Sequence, residues 1–166
     1  MTVYSVSPVR FNSVSMVTAT LGANDPELGT VVRVGMSEYQ LCYNAGAAAI
    51  KVGWGGFHNS MNSGASVTVS NAASQTGNFV GVCYHASIPA GSYGWLVTKG
   101  LTYVAADGSE TSAASGIHLN LGVDGGFVAT TATLSTGLPV GITVSTMQTQ
   151  GTTTPGKAFI YRSVLG

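Results

Sequence analysis

Apolar and polar residues alternate along this chain in short runs separated by turn residues, which is the period of half-buried β-strands. The clearest stretch is Thr30-Val31-Val32-Arg33-Val34, the dipeptide Gly35-Met36, and Ser37 to Asn44 with Tyr39, Leu41 and Tyr43 on one face. A glycine-first dipeptide between two such runs predicts a hairpin with a two-residue turn. Further strands are predicted at Ser66–Ser70, Phe79–His85 and Tyr93–Thr98, the last hinging at Lys99-Gly100 into Leu101–Val104. Ile117–Leu121, Thr130–Thr136, Val140–Val144 and Ala158–Arg162 complete the series. Turns are expected at Pro89–Ser92 and Asp124-Gly125, and loops at Gly53–Gly64, Asp107–Gly116 and Gln150–Gly156. Ala45–Lys51 reads as a short strand or one helical turn. No window holds a helical apolar period for more than about ten residues. The expectation is an all-β fold, a small glycine-rich barrel or sandwich. One echo stands out: Val80-Gly81-Val82 precedes the strand at Trp95–Val97, and Val140-Gly141-Ile142 precedes the one at Phe159–Tyr161. Two related strand pairs closing one barrel would produce it.

Residues 1–24 differ from the rest. Val3, Tyr4, Val6, Val9, Phe11, Val14, Met16 and Val17 follow no single period, Pro8 argues against a helix, and Asn24-Asp25-Pro26 closes the segment. This predicts an extended N-terminal arm over residues 1–24 and a β-rich domain over residues 25–166. Apolar surface left in water is unfavourable by about 25 cal/mol per Å², so the arm is expected to pack on another subunit. Arg10 and Phe11 are its expected best contacts, because arginine and aromatic side chains dominate interface hot spots.

Composition adds the idea of an assembly. Six basic and six acidic residues make 7% of 166 positions and leave no net charge, while 45% are hydrophobic. Soluble domains carry roughly 25% charged residues and stay dispersed through a charged surface. A neutral, apolar, strand-forming chain is reconciled with solubility if other protein covers much of its surface. The scattered Lys and Arg give no footprint for nucleic acid. No apolar run is long enough for a membrane helix, and the first residues lack the basic start and apolar run of a secretory signal. No nucleic-acid or membrane partner is therefore expected.

Candidate chemistry is sparse. His58, His85 and His118 have no close ligand spacing with one another or with Cys42 and Cys83. His85 lies two residues from Cys83, which would place both on one strand face. Both cysteines sit in apolar runs and are expected as buried free thiols. No nucleophile elbow, phosphate-binding glycine loop or calcium loop occurs. The expectation is a non-enzymatic protein without cofactor or metal. Trp54 and Trp95 are the remaining candidates, as subunit contacts or as platforms on which a sugar ring stacks, with Trp95, mid-strand, reading more as core or interface.

The order of these pieces resembles the capsid decoration, or cement, proteins of tailed bacteriophages. The resemblance rests on Glu27–Val32 leading into Tyr39–Gly46, then Val80-Gly81-Val82 and Ala90–Gly100, and spans residues 27 to 164. It implies a β-rich structural virion protein, a homotrimer or homodimer on the outer capsid surface, with the major capsid protein as partner. It also implies host cytoplasm as the place of assembly. The alternative from another class is a glycan-binding module of a phage fibre or adhesin.

Overall fold

The computed structural model describes residues 14, 16–23, 25–58, 66–68, 79–106, 112–121, 125–130, 141–145, 147–148 and 156–161. Twelve strands follow in chain order: β1 (Val31–Val34), β2 (Ser37–Asn44), β3 (Gly55–His58), β4 (Ser66–Thr68), β5 (Phe79–Cys83), β6 (Tyr93–Val104), β7 (Ser112–Ala113), β8 (His118–Leu121), β9 (Phe127–Thr130), β10 (Gly141–Thr143), β11 (Met147–Gln148) and β12 (Gly156–Ile160). No α-helix occurs among the described residues, and the expected all-β class is what the chain adopts.

Ten strands form one sheet in the order β1-β2-β4-β3-β5-β6-β12-β10-β8-β9. A further pairing of β2 with β6 closes β2, β4, β3, β5 and β6 into a five-stranded barrel. β7 and β11 pair separately. Within the barrel only β2–β4 is parallel. The edge of β2 is divided, with Ser37–Gln40 paired to β1 and Tyr43-Asn44 to β4. The β1–β2 hairpin falls where alternation placed it. Its turn begins at Gly35, whose φ of 60° is a conformation that a side chain disfavours.

A five-stranded barrel has room for only a few side chains. Here they are Cys42, Val67, Val80, Cys83 and Leu96 from four of the strands, with Ile50 and Ile88, which bridge each other. The fifth strand contributes space instead. A Cβ on Gly56 would stand 2.5 Å from Leu96 Cδ1, so the glycine admits the leucine. This explains why the expected loop at Gly53–Gly64 holds strand β3. Its glycines serve packing rather than a turn, and both are buried.

The opposite face of β2 and β6 carries a second cluster of Tyr39, Leu41, Trp95 and Val97. Val14, Met16 and Leu21 pack against it, and Thr18 forms a two-bond bridge with Tyr93. The C-terminal end of the expected arm therefore lies on the chain's own barrel rather than on another subunit. Residues 1–13 lie outside the described residues. The third cluster fills the space between β3 and β5 and the strands beyond the barrel: Phe57, Phe79, Val82, Val104, Ala106, Leu119, Phe127, Ala158 and Ile160. Phe79 meets Phe57 and Phe127 edge to face, with ring centres 6.0 and 6.2 Å apart.

Strand β6 belongs to both halves. Its first part pairs with β2 and β5, and Gly100–Val104 pair with β12. Both members of the internal echo are adjacent antiparallel pairs, β5 with β6 and β10 with β12. Only the first pair lies in the barrel. Their glycines share a role, since a Cβ would come within 2.5 Å of Val97 O at Gly81 and 2.8 Å of Phe159 O at Gly141.

Candidate functional site

The residues with candidate chemistry do not converge. No group of three or more His, Cys, Asp or Glu comes together among the described residues. β5 ends at Cys83, so the shared strand face expected for Cys83 and His85 does not form. Cys83 is fully buried and its thiol donates to the Ala86 carbonyl at 3.0 Å. Burial pushes this thiol up to about 12, out of reach of the thiolate chemistry that reactive cysteines use. Cys42 is also buried and outside any disulfide, and its thiol donates to the Gln40 carbonyl at 3.6 Å. His85 turns outward, stacks on Tyr39 at 6.1 Å and meets the edge of Tyr84 at 4.4 Å. Desolvation lowers its pKa below the ordinary imidazole value. His118 Nδ1 lies 3.3 Å from the Tyr161 hydroxyl.

Trp95, expected in the core or at an interface, is a core residue with 5% exposure. It sits on the outer face of β6, and the segment containing Val14, Met16 and Leu21 covers that face. Trp54 is half-buried against the barrel cluster and carries the Lys51 ammonium 4.7 Å from its ring centre. Arg10 and Phe11 lie outside the described residues. Sequence reasoning passed over Asn44, which is fully buried. Its amide donates to the Ala48 and Ile88 carbonyls, both at 2.9 Å, and its Oδ1 accepts from Gly46 N–H. It fixes the loop after β2 and has no solvent-facing role.

The surface instead shows apolar side chains gathered at one edge. Leu28, Val31, Val34 and Met36 are 42%, 56%, 47% and 86% exposed, all on or beside β1 and its turn. The hairpin end lies beside Gly100, where a Cβ would stand 2.8 Å from Ser37 Cα, next to exposed Leu101. The only charges in this hairpin, Arg33 and Glu38, pair with each other. Such an edge of neutral, apolar strand is the kind of surface that proteins ordinarily cover.

This architecture has a counterpart among solved structures. The fold is similar to that of the N base of head fiber gp8.5 of bacteriophage phi29. The match covers 77% of this chain and 98% of the phage chain, with a TM-score of 0.52 and 18% identity. At that identity the likeness is one of fold. No family model matches the chain, and no curated protein does.

Proposed function

We propose that this chain is a structural protein of a bacteriophage virion that sits on the outer surface of the head, as a decoration protein joining major capsid subunits. The observation that carries the reading is the fold shared with nearly the whole of a phage head-fibre base. The nearly uncharged composition and the exposed apolar edge at β1 support it, because both suit a protein that works covered by others. The role is mechanical. Modest contacts repeated by the symmetry of a shell give avidity without a strong single site, and no catalytic step or cofactor is invoked. Assembly would draw the protein from the host cytoplasm onto the finished head.

The same likeness favours a second reading, that the domain is the base on which a fibre stands. Glycan binding by a fibre tip asks for an open aromatic face, and half-buried Trp54 with Lys51 over its ring offers little of one. Cosedimentation with phage heads assembled from a major capsid protein tests both head-bound readings. Saturable binding at symmetry-related positions is expected, and no binding to intact heads would overturn them. Increased resistance of loaded heads to heat separates a decoration protein from a fibre base, which would bind without reinforcing the shell.

A further inference from the structure

Strand β1 pairs with β2 on one side, and no described strand lies on its other side. In an antiparallel ladder, hydrogen-bonded and non-bonded pairs alternate, and the pair flanking a two-residue turn is bonded. Val34 opposite Ser37 flanks the turn, and the Thr30 carbonyl accepts from Leu41 N–H at 2.9 Å. Residues 32 and 34 therefore turn their backbone groups toward β2, as Thr30 does its carbonyl, while the Thr30 N–H donates to the Glu27 carbonyl at 3.0 Å. Val31 and Arg33 aim theirs away from it, leaving two N–H and two C=O groups along the outer edge. The turn bounds this edge at one end. At the other, Gly29 with φ of 88° sends its N–H to the same Leu41 whose N–H bonds Thr30, which breaks the ladder.

We propose that this edge is the seam of a homodimer, in which β1 pairs antiparallel with β1 of a second copy about a twofold axis at Val32. Such a seam would form whether or not the chain serves in a virion. The geometry favours a second copy because the edge is complementary to itself. A twofold at Val32 sets Val31 opposite Arg33 of the second copy and Arg33 opposite its Val31, so both outward residues on each side are used. Val32 meets its own equivalent in the close, non-bonded position. Arg33 never faces Arg33, whereas a shift that centres the axis on Arg33 would oppose two like charges. The usual guards of an edge strand, proline, lysine or a bulge within the strand, are missing from Val31–Val34. Exposed Val31, Val34 and Met36 supply apolar area around the seam, and the Arg33–Glu38 pair leaves no unmatched charge on it.

Sedimentation equilibrium of the full chain from micromolar to millimolar concentration tests the seam, with Val31→Lys and Val31→Glu as variants. Val31 is largely exposed, so both variants should melt like the parent. A monomer–dimer equilibrium is expected. Val31→Lys should weaken it by roughly tenfold, because two symmetry-related like-charge pairs arise with Arg33. Val31→Glu meets Arg33 instead and should hold or tighten the dimer. A parent that stays monomeric, a ring of three copies, or equal loss in both variants would overturn the proposal. So would a dimer that appears only when residues 1–13 are removed, since the edge would then belong to the chain's own N-terminus.

Discussion

A single methyl group separates two kinds of glycine in this chain. At Gly81 a side chain would press on the carbonyl of Val97 across a closed barrel, and backbone there cannot give way. At Gly35 the space is open and only the positive φ resists. Gly81→Ala should therefore cost about 1–3 kcal/mol through overpacking, and Gly35→Ala about 1 kcal/mol through backbone strain. Urea denaturation of the two variants measures the difference, and a smaller loss at Gly81 would refute the packing argument. His85 offers a residue-scale test in pH. Its folded pKa lies below the ordinary value, so the unfolded chain takes up its proton first as pH falls. The neutral ring's contribution is complete above about 6.5, the unperturbed imidazole value, and is lost as pH drops toward the lowered folded value. His85→Gln should flatten the decline in melting temperature between neutral and mildly acid pH. An unchanged decline would assign it to other groups. Part of this was legible in the sequence, since a glycine inside a strand such as Gly81 permits a bend or a close backbone approach and Gly35 stands first in a two-residue turn. Nothing local, by contrast, places His85 against Tyr39 and Tyr84.

Among the elements, legibility follows the range of the forces. The β1–β2 hairpin was readable almost to the residue because alternation and a glycine-first turn are local. Strand β3 was not, because Gly55 and Gly56 owe their burial to Phe79 and Leu96, which are distant in the chain. Trp95 was legible mid-strand as core or interface, but nothing local chose between them or announced that Met16 and Leu21 would cover it. That cover gives a prediction. Met16→Asp should lower stability by about 1–3 kcal/mol, as an unpaired charge is forced against an apolar face. With Trp54→Phe in the background, the emission of Trp95 should shift to longer wavelength. An unshifted spectrum would show that the segment does not shield the ring. Deleting residues 2–22 should accordingly destabilise the barrel, rather than release an independent arm.

At the scale of the molecule, composition pointed to a protein that lives among others, and alternation to an all-β fold. A barrel was one of two expected forms, but which strands close it was not readable, because closure depends on β2 meeting β6 across nearly fifty intervening residues. The place of β6 has a further consequence. A strand that is at once a stave of the barrel and a member of the sheet beyond it leaves no line along which the two halves can part. Its amides should be the last in the chain to exchange with deuterium, by whole-molecule opening alone, and Leu96 and Thr102 should share one opening free energy. Two distinct opening energies would mean that the halves come apart separately. A tie of this kind also sets the response to load. A pull on either half passes into the same strand and is borne by two sets of interstrand bonds in concert, so the domain should yield all at once rather than peel.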